Sequence, residues 1–318
     1  MNVDDIRRVA VVGGGLMGAG ITQEFATAGY DVTLQDIDDS QLQAAAARIR
    51  ESLTLLAEYE LVEAASVEAI LGRVTCTTEL QAAVSKADLV VEAATENVEL
   101  KQELFRSMSG FCPVHTILAS TTSAIHPDRL AQATDCPERV VVAHFAFPNY
   151  LIPLVEMARA AQTSDETTET VYALLEKIGK RPIVMKAPLP GFVSNRLQMA
   201  MLREALNIVS QGAAAPEDVD TAVQNAFGRR YAVTGPLAVY DMAGLNTLTN
   251  VWRQTAPHLA TTDEPFNYIR EKVADGKLGP STGEGIFHWT PESTEALRRR
   301  LMDGLIAIEQ WTRAQEEA

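Results

Sequence analysis

Positive charge is scarce in this 318-residue chain. Its 27 Lys and Arg face 42 Asp and Glu, leaving a formal net charge of −15. A non-specific grip on nucleic acid or an anionic membrane needs clustered cations, so neither is expected as a partner. Cysteine is scarce too. Cys76, Cys112 and Cys136 are scattered, with no CxxC spacing, so neither a disulfide framework nor a metal site is expected. No run reaches the roughly 18 apolar residues of a membrane span. The opening MNVDDIRRVAVVGGG carries no apolar signal-peptide stretch, which places the chain in the cytoplasm as an expectation. What is present is ordinary for a globular protein: 47% hydrophobic and 22% charged residues. At roughly 100–200 residues per domain, the length suggests two domains.

The first half alternates short apolar runs with helical stretches. Val9–Val12, Val32–Leu34, Leu89–Val91, Thr116–Ala119, Val140–Ala143 and Pro153–Met157 read as strands. Ile21–Ala28, Gln41–Glu58 (capped by Asp39 or Ser40), Val98–Met108 and Glu166–Ile178 read as helices. Such alternation implies parallel pairing through crossovers, hence an α/β, Rossmann-type, doubly wound and mostly parallel sheet. The segment Lys186-Ala-Pro-Leu-Pro-Gly191 marks a linker. Beyond it lie helical stretches at Asn195–Gln211, Pro216–Asn225, Pro265–Ala274 and Pro291–Ala314, with no strand alternation. The expected division is a dinucleotide-binding domain over 1–187 and an all-helical domain over 188–318 that serves substrate and dimerisation.

Gly13-Gly14-Gly15-Leu16-Met17-Gly18 fits G-x-G-x-x-G, directly after a strand and opening a helix. Gly13 permits the tight turn, Gly15 the approach of a pyrophosphate, and Gly18 close packing of helix on sheet. The unpaired N–H groups at the helix start then face the phosphates. Asp36 ends the second strand, placed to accept from ribose hydroxyls. Ile37-Asp38-Asp39 follows without an arginine, which would repel a 2′-phosphate and favours NAD over NADP.

His144 ends the run Val140–Ala143, where the carboxyl ends of strands border the ligand crevice. Twelve residues on, Glu156 lies inside Pro153-Leu-Val-Glu-Met157. A glutamate in an apolar strand needs a partner, and an imidazole is a fitting one, because the carboxylate holds its tautomer and balances the imidazolium. The two form a candidate general-base pair.

Together these segments resemble the 3-hydroxyacyl-CoA dehydrogenase family over nearly the whole chain. Val11–Gly20, Val90-Val-Glu-Ala-Ala-Thr-Glu-Asn97, Ala119-Ser-Thr-Thr-Ser123, the His144-to-Glu156 spacing, Pro190-Gly-Phe-Val-Ser-Asn-Arg196 and Leu278-Gly-Pro-Ser-Thr-Gly-Glu-Gly-Ile-Phe287 follow the family's motifs in order. The resemblance implies NAD-dependent oxidation of a 3-hydroxyl to a 3-keto group, a place in fatty-acid metabolism, and a homodimer. It implies His144 as base and Glu156 as its orienter, with Ser123 on the reacting oxygen and Asn195 positioning substrate and histidine. Leu16 and Met17 would join the glycines at the cofactor, and Ala93, Glu96 and Lys101 would line its nicotinamide half. Plainer readings of the residues exist: Ser123 as a turn cap, Asn195 as an interdomain contact, Lys101 as a solvated helix charge.

Departures from the pattern bear on the substrate. Phe147 stands where the family has an asparagine three residues after the histidine, and Ser281 where it has a lysine before "TG". The helix Gln41–Glu58 contains no lysine, only Arg48 and Arg50, and so offers little to the phosphates of CoA. Asn149–Glu156, Asn195–Gln198 and Gly228-Arg-Arg-Tyr-Ala-Val-Thr-Gly-Pro236 are similar to the lambda-crystallin and L-gulonate 3-dehydrogenase branch. That resemblance implies a small free 3-hydroxy carboxylate, which Arg229 and Arg230 would clamp, or in the extreme a crystallin-like protein that binds NADH without turnover. The expectation is a 3-hydroxyacyl-CoA dehydrogenase-type enzyme, with the free-acid dehydrogenase as the alternative.

Overall fold

A computed structural model describes residues 2–316. The chain divides into two compact units, Met1–Val193 and Ser194–Ala318. The proline- and glycine-rich stretch after Lys186 therefore belongs to the first unit, and its end is anchored there: Phe192 is only 2% exposed.

The first unit is built on eight strands: β1 (Arg8–Val12), β2 (Asp31–Gln35), β3 (Val74–Thr77), β4 (Leu89–Glu92), β5 (Ile117–Ser120), β6 (Val140–Phe145), β7 (Leu154–Arg159) and β8 (Arg181–Val184). They pair in the order β3-β2-β1-β4-β5-β6-β7-β8. Every step is parallel except β6–β7. The exception follows from chain length: residues 146–153 joining β6 to β7 are too few for the crossover helix that a parallel return requires. The expected mostly parallel, doubly wound sheet is what forms.

Helices α1 (Leu16–Thr27), α2 (Asp39–Glu58), α3 (Val67–Leu71), α4 (Leu80–Val84), α5 (Val98–Phe111), α6 (Pro127–Ala131) and α7 (Asp165–Lys177) cover both faces. Strand pleating sorts the core. Val9, Val11, Val91 and Val141 pack with Ile21 and Phe25 of α1, Ile49 and Leu53 of α2 and Leu174 of α7. Ala10, Val12, Val90, Val142 and Ala158 pack on the other face with Phe105 and Met108 of α5 and Leu130 of α6. Helix α2 is capped by Asp38, whose side chain accepts from the Ser40 N–H at 2.7 Å, rather than by the expected Asp39 or Ser40. Asp38 is the residue with extended backbone there, and only that conformation lets its side chain reach back to the orphan amides.

The second unit is helical: α8 (Ser194–Ser210), α9 (Pro216–Asn225), α10 (Phe227–Tyr231), α11 (Pro236–Ala243), α12 (Leu245–Thr255), α13 (Asn267–Ala274) and α14 (Pro291–Glu316). Among its described residues, Ile306 is the one fully buried hydrophobic side chain, while Leu197, Met199, Met242 and Trp252 stay exposed. Among the described residues, no helix is long and apolar enough to cross a membrane, and no cluster of His, Cys, Asp or Glu is arranged to hold a metal ion.

Candidate active site

The glycine-rich turn joins β1 to α1. Gly13 takes φ +108°, and a Cβ there would stand 2.7 Å from the Ala93 carbonyl. At Gly18 a Cβ would fall 1.8 Å from the Gly13 oxygen, so only hydrogen fits. Gly15 differs: a Cβ there would meet nothing within 4 Å, so its surface is open rather than packed. Gly15 is also the N-cap of α1 and provides no side-chain cap, leaving the first helical N–H groups to an outside acceptor. The half-buried Met17 and the exposed Leu16 flank this open face. Open glycine surface, uncapped helix start and a carboxylate beside them fit a dinucleotide.

That carboxylate is Asp36. Its Oδ2 accepts from the Gly14 N–H at 2.7 Å, and its Oδ1 from the Asp38 N–H at 3.3 Å. It therefore braces the glycine turn. The local sequence shows no arginine beside Asp36, but folding brings one: Arg48 Nη1 of α2 donates to the Gly14 carbonyl at 3.4 Å. Two residues on, Arg50 is held by Glu68 through both terminal guanidinium nitrogens. Both arginines of α2 thus already have partners.

At the carboxyl ends of β4 and β5 lies a buried polar network. Lys101 is 1% exposed and Glu92 fully buried. Lys101 Nζ donates to Glu92 Oε1 at 2.6 Å and to the Ala94 carbonyl at 3.0 Å, and lies 3.5 Å from Glu96 Oε2. The solvated-charge reading of Lys101 is thereby corrected: the helix turns it inward because Glu92 needs a counter-charge in the sheet. Glu92 Oε2 accepts from Ser120 Oγ at 2.6 Å. Glu96 Oε1 accepts from Thr122 Oγ1 and from the N–H groups of Ser123 (3.0 Å) and Ala124 (3.1 Å). Glu96 thus holds the turn that carries half-buried Ser123, and Ala93 sits half-buried against the glycine turn. Glu92 escaped the sequence reading, though a carboxylate closing the apolar run Leu89-Val-Val was the signal.

His144 and Glu156 are register partners across β6 and β7. His144 Nδ1 and Glu156 Oε2 are 3.0 Å apart. Glu156 is 1% and His144 9% exposed. With Nδ1 engaged, Nε2 has no hydrogen-bond partner among the described residues and is the nitrogen available to a substrate. Glu156 Oε1 accepts from the Val193 N–H at 2.8 Å, and the Phe192 ring lies against the imidazole, centroids 5.3 Å apart and planes at 39°. Neither contact was legible in the sequence. Beyond β6, Phe147 is half exposed. Asn149 is fully buried, and its Nδ2 donates to the Met17 carbonyl at 3.2 Å, tying the loop after His144 to the start of α1.

The remaining candidates lie in the second unit. Asn195 is in the first turn of α8, half-buried. Arg229 and Arg230 are exposed on α10, with no side-chain hydrogen bond or ion pair among the described residues.

The sequence matches the NAD-binding domain of 3-hydroxyacyl-CoA dehydrogenase over residues 8–187 and the C-terminal domain of the same family over 191–289. It is 36% identical over 303 residues to the 5-formyl-3-hydroxy-2-methylpyridine 4-carboxylate 5-dehydrogenase of Mesorhizobium japonicum, covering 95% of this chain and 97% of that protein. A solved structure of a dehydrogenase of that specificity, described as an NAD+-dependent dismutase, superposes with a TM-score of 0.89 at 35% identity, covering 96% of this chain and 98% of that one. The (S)-3-hydroxybutyryl-CoA dehydrogenase of Ralstonia eutropha gives 0.74 at 36% identity, covering 90% and 99%.

Proposed function

The chain belongs to the 3-hydroxyacyl-CoA dehydrogenase family, an NAD-dependent oxidoreductase, and from that premise we propose that His144 and Glu156 are its general-base pair and that its substrate is a small free hydroxy carboxylate. Bound NAD supplies the hydride acceptor. His144 Nε2 takes the hydroxyl proton, and Glu156, 3.0 Å from Nδ1, balances the imidazolium that forms. Ser123, held by Glu96, donates to the reacting oxygen, and Asn195 positions the substrate. The Nδ1–Oε2 contact at the carboxyl end of β6 is the observation that carries the base assignment.

For the substrate, the supporting observation is the state of α2. CoA brings several phosphate charges, and the arginines that would meet them are occupied: Arg50 by Glu68 and Arg48 at the glycine turn. Arg229 and Arg230 are free to form a fork on a carboxylate. The relative of Mesorhizobium japonicum is named for a ring carboxylate, in keeping with this reading. The acyl-CoA reading has in its favour the segment Leu278–Phe287, which follows the acyl-CoA enzymes' pattern, and the likeness to the (S)-3-hydroxybutyryl-CoA dehydrogenase of Ralstonia eutropha.

The second unit buries almost none of its apolar side chains, and such a surface calls for a partner. We take that partner to be a second copy, making a homodimer through this unit. Light scattering at micromolar concentration is expected to give twice the chain's 34.5 kDa; a monomer mass refutes the dimer. NAD reduction is then followed with free 3-hydroxy carboxylates, ring-bearing hydroxy carboxylates and 3-hydroxybutyryl-CoA. A free acid is expected to exceed the CoA ester in kcat/KM by at least about tenfold, equivalent to roughly 1.4 kcal/mol. The reverse order overturns the substrate assignment and leaves the base assignment standing.

A further inference from the structure

Phe192 and Glu60 are the non-glycine residues with left-handed backbone among those described, at φ +49° and +60°. Phe192 follows Gly191, itself at φ +77°. A bulky residue rarely adopts this conformation, and where it persists the surroundings over-determine it. Here two contacts do so. The twist turns the Phe192 ring inward, into tilted contact with the His144 imidazole, centroids 5.3 Å apart and planes at 39°. It also aims the next amide, Val193 N–H, at Glu156 Oε1, 2.8 Å away. Both members of the pair are thus gripped by two consecutive residues that lie far from them in sequence and belong to no strand or helix.

The pair needs such a grip. Glu156 has two oxygens, and His144 Nδ1 engages one of them; without a donor on the other, the carboxylate could rotate about its last torsion and leave the histidine. The imidazole has a Cβ–ring torsion that a single hydrogen bond restrains in one direction only. The Phe192 ring packed against the imidazole restrains the other. We propose that the Gly191–Phe192–Val193 turn is a positioning element for the His144–Glu156 pair, with Phe192 fixing the plane of the imidazole and the Val193 amide fixing the carboxylate. This rests on the assignment of His144 as the base; the turn acts through the pair. Because α8 starts at Ser194, the same turn is where the chain passes into the second unit.

The test reads the pair directly, before any substrate is chosen. Proton NMR of the intact protein is expected to show a downfield, slowly exchanging His144 Nδ1–H. Among the five histidines the signal is assigned by its loss in His144→Gln. Phe192→Leu keeps apolar bulk but removes the flat face; it should speed exchange of that proton by about tenfold or more, while Phe192→Tyr, which keeps the ring, leaves it within about twofold of wild type. With a substrate that turns over, Phe192→Leu should lower kcat about tenfold at unchanged KM for NAD, and add less than about twofold in a His144→Gln background. Should Phe192→Leu fail to fold by circular dichroism, Phe192→Met is read against the same criteria. Unchanged exchange in the folded variant overturns the proposal, as does an equal kcat loss with and without His144. A His144→Gln enzyme with wild-type turnover is a different failure: the base is then elsewhere, whatever the NMR shows.

Discussion

Glu156 stands directly across from His144 on the one antiparallel step among the described strands of the sheet, their side chains 3.0 Å apart. A spacing of twelve residues in the chain becomes nearest-neighbour contact because the loop between β6 and β7 reverses the strand direction. His144 lies two residues after Val142 and Glu156 two before Ala158, so pleating sends both to the face shared with α5 and α6.

His144→Gln is expected to lower turnover by about 10²–10⁴ while NADH binding, followed by fluorescence titration, stays near wild type. Glu156→Gln should lower turnover at least about tenfold, since the imidazolium loses its counter-charge. A His144→Gln enzyme that keeps most of its rate places the base elsewhere.

Cofactor preference should depend on Asp36. Wild-type enzyme is expected to favour NAD over NADP by at least about tenfold in kcat/KM, because a 2′-phosphate would meet the carboxylate. Asp36→Ala should relax this, and the nearby Arg48 guanidinium, 3.4 Å from the Gly14 carbonyl, would then favour the phosphate. Equal use of both cofactors by the wild type contradicts the assignment.

The arginines separate the two substrate classes. Arg229→Ala or Arg230→Ala should cost about 1.5–3 kcal/mol in kcat/KM for a free carboxylate, as expected for a hydrogen bond to a charged group. Arg50→Ala, which frees only Glu68, should leave the KM of that substrate unchanged. If instead Arg48→Ala with Arg50→Ala raises KM for 3-hydroxybutyryl-CoA and the α10 variants are silent, the anion site lies on α2.

Acid stability should trace in part to Asp88, at the end of the sheet remote from the site. Burial works against its charge, but the Arg7 and Arg8 N–H groups, 2.9 Å from Oδ2, and His115, 3.2 Å from Oδ1, outweigh it and hold the carboxyl below its ordinary value. A lowered pKa in the folded state means the stabilisation is full above about pH 4, the unfolded value, and fades as pH falls through the folded value. Asp88→Asn should cost about 1–3 kcal/mol at pH 7 by urea unfolding and flatten the loss of stability below pH 4. An unchanged acid limb would show that the carboxylate contributes nothing there.

The sequence made the frame legible because the frame obeys local rules. Apolar runs of β-branched residues became the central strands, and Gly13 and Gly18 sat where a Cβ has no room. Edge strands were lost: β3 (Val74-Thr-Cys-Thr77) is half polar and short, and β8 contains Pro182 and exposes Ile183 and Val184. The antiparallel step was unread because nothing local distinguishes β7 from its neighbours; only the length of its connection does. In the second unit, α10, α11 and α12 escaped because Gly228, Gly235 and Gly244 break the periodic pattern between them. At the site, motifs placed His144, Glu156 and Asp36, whereas the inward turn of Lys101 and the approach of Phe192 depend on contacts between distant segments, which no spacing encodes.

The β6–β7 pairing also sets which insertions the chemistry can survive. Side chains alternate faces along a strand, so one residue added to β7 ahead of Glu156 would carry its carboxylate to the opposite side of the sheet, out of reach of the imidazole. Residues added between Ile152 and Pro153 leave that parity, and the buried Asn149 and Leu151, untouched. The end of the loop beyond the buried Asn149 and Leu151 is therefore where length can be added, while the strand that follows is fixed by parity: one short stretch tolerates insertion and the other cannot gain a single residue without parting Glu156 from His144.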